Sequence, residues 1–105
     1  MDEEIMEEIR HFRDSRNWKM FHNPKDLAIS INLEAAELLE IFQWSGTKIS
    51  MPDEQCALEE ELADVLIYCM LLADVLGVDL KYLIRRKLAI NENKYKIYRE
   101  NGHKS

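Results

Sequence analysis

Turn-forming residues are scarce: 3 glycines and 2 prolines in 105 residues. So few breakers argue against many short strands joined by tight turns and favour a few long helices. Only 2 cysteines are present, Cys56 and Cys69, with neither a CxxC spacing nor a histidine nearby in sequence. That pattern argues against a zinc ligand set or a disulfide framework and points to free thiols in a reducing compartment. There is no glycine-rich phosphate loop, so any phosphate ligand must be held by metal and side chains. The longest apolar run, Val65 to Ala73, is far too short to span a bilayer. The first residues, MDEEIMEEI, are acidic where a signal peptide requires a basic region. These absences lead to the expectation of one domain over residues 1–105, cytoplasmic, with no membrane partner.

Charge is plentiful but unevenly spread. The net charge is -6, with 47% hydrophobic and 32% charged residues. Residues 1–80 carry 6 Lys/Arg against 18 Asp/Glu, whereas residues 81–105 carry 8 against 2. A basic C-terminal segment raises the idea of a nucleic-acid arm. It lacks the aromatic and glycine interleaving of single-strand binders, so nucleic acid is not the expected partner. The same cations would serve the phosphates of a ligand whose metal sits on the acidic helices.

Apolar periodicity predicts four helices. The first covers residues 2–17, with Ile5, Ile9 and Phe12 on one face and Met6 beside them. An aromatic-rich break, NWKMFHN, follows. Asn23-Pro24 is a start signal, and the second helix runs from there to about Trp44, ending at Ser45-Gly46. Its apolar stripe takes in Leu27, Ile31, Ala35, Leu38, Leu39 and Phe42. After a loop over 45–51, Ser50, Pro52 and Asp53 open a third helix that Gly77 closes. From Leu62 onward this helix is apolar nearly all round and is expected to be the most buried element. Asp79 caps a fourth helix to about Tyr98, with Leu80, Leu83, Ile84, Leu88 and Ile90 making its apolar contacts. Residues Asn101 to Ser105 are expected to fray. The expected architecture is an all-α four-helix bundle.

Two acidic strings interrupt the apolar helices: Glu34-Ala-Ala-Glu37 and Glu61-Leu-Ala-Asp64. Residues three apart on a helix point to neighbouring azimuths, so each string aims two carboxylates the same way. Unpartnered buried carboxylates are costly. Two facing pairs are held economically by a hard divalent cation bound through oxygen, Mg2+ or Mn2+. The alternative is a salt bridge from Asp64 to a buried base, with Lys87 as the candidate; spacing leaves both open. No histidine sits three residues after any of the four acids, the spacing a di-iron bundle requires. Glu40, Glu59 and Glu60 read as solvated charges.

The pattern of Glu-x-x-Glu on one helix and Glu-x-x-Asp on the next resembles the all-α nucleoside triphosphate pyrophosphohydrolases, the MazG-like superfamily. The segments FHNPKDL, LEAAELLEIFQWSG, EELADVLIYCMLLAD and KLAINENKY look like its dCTP pyrophosphatase branch, in order, over residues 16–96. The resemblance implies that Glu34, Glu37, Glu61 and Asp64 bind Mg2+ and carry catalysis. One of the four orients or deprotonates the attacking water, Glu37 being the first candidate, and the sequence does not fix which. It implies that Lys87, Asn91, Lys94 and Tyr95 meet the triphosphate. Tyr68 then lies beside the metal, and Trp18, His22 and Trp44 help enclose the nucleoside. A homo-oligomer, a dimer of dimers with sites built from more than one chain, is implied as well. Where relatives often have glycines around the first glutamates this chain has alanines, which stiffen the helix without removing a ligand. The implied reaction is cleavage of dCTP, or a modified dCTP, to monophosphate and pyrophosphate. Cleavage of another dNTP and a non-catalytic helical interaction module are the other readings.

Overall fold

The computed structural model describes residues 3–18, 22–43 and 55–95. These contain four α-helices and no strand: α1 Glu3–Ser15, α2 Pro24–Glu40, α3 Gln55–Leu76 and α4 Leu80–Lys94. Trp44, the loop and helix start expected over 45–54, and the chain beyond Tyr95 lie outside the described residues.

The helix ends follow from local chemistry. Asn23 caps α2, its side chain accepting from the Asp26 N–H at 2.8 Å, with Pro24 at the first helical position. Asp79 caps α4 through the Tyr82 N–H at 3.2 Å. At the end of α3, Gly77 takes φ +71°, and the Gly77 and Val78 amides return to the Asp74 and Ala73 carbonyls, both at 3.0 Å. This is the six-to-one, five-to-two closure that a left-handed residue permits. The same closure ends α1 without a glycine. Asn17 takes φ 57°, its amide meets the Asp14 carbonyl at 3.1 Å, and the Trp18 amide meets the Arg13 carbonyl at 3.2 Å. Asparagine tolerates this region better than other non-glycine residues.

The core is small and sits where α1, α2 and α3 meet. Met6, Ile9, Leu27, Met70 and Leu71 form it, with Tyr68, Leu72 and Leu80 packed against it. Leu27 is 1% exposed, a burial worth about 2 kcal/mol. Leu27 lies with Met70 and Leu71, while seven residues further along α2 Glu34 lies with Glu61 and Asp64. Rising numbers on α2 therefore meet falling numbers on α3, and the two helices run antiparallel.

An ion-pair network fastens α1 to the end of α3. Asp74 accepts from Arg10 Nε at 2.9 Å and from Arg13 Nη1 at 3.2 Å, and Arg13 also reaches Asp14 at 2.8 Å. Arg13 is 5% exposed, and a guanidinium so buried needs such partners. Burial pushes the Asp74 carboxyl up, but hydrogen bonds from Arg10 and then Arg13 outweigh it and hold it below the ordinary carboxylate range.

Three expectations are corrected. The third helix is not buried all round: only Met70, Leu71 and Ala73 are, whereas Leu62 is 48% and Leu66 41% exposed. On α2, Leu39 stands 71% exposed, outside the apolar contact. On α4, Ile84, Leu88 and Ile90 are exposed, so of the contacts expected there Leu80 reaches the core cluster. The physical reason is common to all three. Among the described residues nothing covers these positions: Leu66 faces the open cavity between α1 and α3, and the others are left to solvent. The radius of gyration, 17.8 Å, exceeds the roughly 13 Å of a compact chain of this length.

Candidate functional site

The antiparallel pairing of α2 with α3 brings the two acidic strings together. Carboxylate oxygens of Glu34, Glu61 and Asp64 lie within 4.8 Å of one another. Glu61 Oε1 is buried with no hydrogen-bond donor in reach among the described residues. Burial, then hydrogen bonding to Glu34 and the charges of Glu34 and Asp64, raise the Glu61 carboxyl above its ordinary range, while a hydrogen bond with Glu37 pulls it partly back. Glu37 stands one turn from Glu34. The charge of Glu61 first, then burial and a shared hydrogen bond with Glu61, lift it too, with Glu40 and Asp64 adding to the effect. Neighbouring carboxylates repel unless a proton or a cation sits between them.

The donor set is all oxygen and the cluster holds excess negative charge. It therefore fits a hard divalent cation and not a soft one. No ion pair joins Lys87, or any other base, to these carboxylates among the described residues. The Glu-x-x-His spacing does occur elsewhere, at Glu8 and His11 on α1 and at Glu100 and His103 outside the described residues. No histidine joins the cluster.

A cavity of about 710 Å³ opens beside the cluster, between α1 and α3. Asp64 and Tyr68 line it at the cluster end, and Ile5, Glu8, Ile9 and Phe12 form its α1 wall. Those four positions follow the i, i+3, i+4, i+7 spacing of one helical face. The left-handed Asn17 turns the chain so that Trp18 meets Phe12 edge to face, ring centroids 5.6 Å apart, with His22 6.5 Å from Trp18. His22 Nδ1 is buried without a partner among the described residues. Burial, then the charge of Arg13, hold His22 below its ordinary pKa, so the imidazole is neutral at pH 7. Burial and the charges of Glu34 and Asp64 push the Tyr68 hydroxyl up, which keeps it a donor beside the cluster.

The structure thus brings Glu34, Glu37, Glu61, Asp64 and Tyr68 together and sets Trp18 and His22 in the adjoining cavity. It does not bring Lys87, Asn91, Lys94 or Tyr95 into recorded contact with the carboxylates in the single chain. Lys94 Nζ lies 5.2 Å from the Tyr95 ring centroid, and Tyr95 is 66% exposed. Sequence reasoning placed Phe12 on a buried face and gave no site role to Glu8 or Arg13. The i, i+3, i+4, i+7 face containing Glu8 was a signal that could have found it. Among the described residues no helix is long and apolar enough to cross a membrane, and Cys56 and Cys69 are free.

Known proteins are similar to this chain in sequence and fold. A model of the MazG-like family matches residues 29–105. dCTP pyrophosphatase 1 of Rattus norvegicus is 37% identical over 109 residues, covering 95% of this chain and 64% of the rat protein. The Homo sapiens protein of that name is 39% identical over 102 residues, covering 89% of this chain and 60% of its own length. The chain therefore spans less than two thirds of these relatives. A crystal structure of a pyrophosphatase from Archaeoglobus fulgidus is 46% identical and superposes with a TM-score of 0.82, over 90% of this chain and 91% of that one.

Proposed function

The chain belongs to the MazG-like family, and from that membership we propose that it is a Mg2+-dependent nucleoside triphosphate pyrophosphohydrolase. Its substrate is dCTP or a related, modified dNTP, cleaved to the monophosphate and pyrophosphate to keep the cytoplasmic nucleotide pool clean. The observation that carries this reading is the carboxylate cluster with its orphaned Glu61 oxygen. The names of the relatives, dCTP pyrophosphatase and pyrophosphatase, agree with it.

Glu34, Glu61 and Asp64 would hold the metal, and Glu37 stands outside that trio. When bound, Mg2+ or Mn2+ would neutralise phosphate oxygens and make the α-phosphorus more open to attack. Glu37, which is not one of the three mutually close carboxylates, takes the proton of the attacking water. The water oxygen bonds to the α-phosphorus, the α–β anhydride bond breaks, and pyrophosphate leaves with the electron pair. Tyr68 donates a hydrogen bond at the junction of cluster and cavity. Trp18 and His22, which line the cavity that begins at Asp64, enclose the nucleoside, and the family resemblance adds Trp44, which lies outside the described residues.

Lys87 and Lys94 offset the charge of the leaving pyrophosphate, Asn91 and Tyr95 meet the phosphates as neutral hydrogen-bond donors, and all four act from a second copy of the chain. Two observations support a homo-oligomer, read here as a dimer of dimers. The apolar side of α3 is open, and the accessible surface of 8296 Å² exceeds the roughly 6,100 Å² of a compact monomer of this mass.

The test is product analysis. Purified protein is incubated with dCTP and Mg2+, with and without EDTA. The expected products are dCMP and pyrophosphate, formed only with the metal. Formation of dCDP and phosphate, or turnover that survives EDTA, would overturn the reading.

A further inference from the structure

The cavity is mostly apolar, and its few polar groups are not equivalent. Arg13 is engaged by Asp14 and Asp74, and Asp64 belongs to the carboxylate cluster. Tyr68 stands next to that cluster. Two polar groups then remain on the lining: His22, with its buried and unpartnered Nδ1, and Glu8 on the α1 wall. Elsewhere on α1, Glu3 and Glu7 are tied to Arg10. Glu8 has no recorded hydrogen bond or ion pair among the described residues. It stands at the rim, where a shallower hollow also begins.

Binding sites of this kind are apolar, with a small number of placed polar groups that fix orientation. A carboxylate carries no hydrogen to donate, so it accepts from an exocyclic amine and repels a carbonyl oxygen at the same place. Acidic side chains read the cytosine N4 amine in this way in other settings. If phosphates lie at the cluster end, marked by Asp64 and Tyr68, the base extends toward the α1 wall where Glu8 stands.

We propose that Glu8 is a specificity-determining residue that accepts a hydrogen bond from the exocyclic amine of the base. It makes the enzyme select amino-bearing bases, cytosine above all, over the 4-keto bases uracil and thymine. This rests on the reading of the cavity as the nucleoside site. His22 supplies the second polar contact to the base edge, its neutral imidazole able to donate at one nitrogen and accept at the other.

dCTP and dUTP differ at the 4-substituent and in the proton on N3, so the ratio of their kcat/KM values is the readout. The wild-type protein is expected to favour dCTP. Glu8→Leu should lower the dCTP:dUTP ratio about ten- to a hundredfold, the size of a lost hydrogen bond to a charged group. Glu8→Gln, which can both accept and donate, should give an intermediate ratio. A wild-type ratio near one, or a ratio untouched in Glu8→Leu with its helical circular dichroism intact, would overturn the assignment. If the wild type turns over no triphosphate, the hydrolase reading falls, and calorimetric binding of dCMP against dUMP judges Glu8 separately. Tighter dCMP binding that Glu8→Leu removes sustains the proposal, and equal binding sinks it.

Discussion

Glu61 shows most directly what the site requires. Its buried Oε1 has no donor in reach among the described residues, and both it and Glu37 are raised by burial and by neighbouring negative charge. A carboxylate in that position is stable only with a proton or a cation nearby. Glu37 is not among the three carboxylates that lie within 4.8 Å of one another, though it shares a hydrogen bond with Glu61, and the proposed mechanism gives it the water. Glu37→Gln should therefore lower kcat by about a hundredfold or more. Its melting temperature should stay level or rise, because a repulsive charge is removed. Steady-state kinetics with dCTP and thermal denaturation would check both parts, and full turnover in Glu37→Gln would remove Glu37 from the mechanism. The acids were legible in the sequence because two carboxylates three apart on an apolar helix are costly without a purpose. Glu8 was harder to single out: its place on the i, i+3, i+4, i+7 face was visible, but a single acid on an amphipathic first helix looks like its neighbours Glu4 and Glu7.

At the scale of elements, the attachment of α1 to α3 decides whether the cavity has a wall. Met6 and Ile9 supply the apolar part, and Asp74 with Arg10 and Arg13 supplies the polar part. Asp74 has a depressed folded-state pKa, so its contribution is present above the unfolded value, near 4, and is lost as pH falls through the lower folded value. Asp74→Asn should cost about 1–3 kcal/mol at pH 7, since Arg13 stays buried but keeps Asp14. The difference between wild type and variant should shrink below about pH 4. Urea denaturation at pH 7 and pH 3 would measure it, and an equal gap at both would mean the network is not ionic. The caps were readable as local chemistry: Asn23 with Pro24, Asp79, and Gly77 after α3. The left-handed Asn17 and the Arg10–Asp74 pairing, 64 residues apart in sequence, were not. Nothing local in the sequence announces which acid a helix-1 arginine will meet.

The whole molecule is extended, 58 × 38 × 25 Å, and leaves much apolar surface open on α3 and α4. That surface is what the proposed assembly would cover. Ile84→Glu, at an exposed apolar position of α4 outside the cavity lining, should reduce the molar mass measured by light scattering after size exclusion. It should also lower turnover, because the basic α4 face then no longer reaches a neighbour's carboxylates. A wild type that already runs as a monomer with full activity would remove the second chain from the site.

Much of this protein is determined by sequence pattern. Helical periodicity, capping residues and paired acids act within a few residues of one another, so the four helices and the carboxylate strings follow from local physics. What only the tertiary structure decided depends on distance through space. The antiparallel register of α2 on α3 makes two acidic pairs into one cluster. The turn at Asn17 sets Trp18 and His22 over a cavity that shares Asp64 and Tyr68 with it. The lack of contact between the α4 cations and the carboxylates among the described residues, and the exposed apolar positions of α3, belong to the same category. An apolar position says that a residue will be covered, and the packing alone says by which surface.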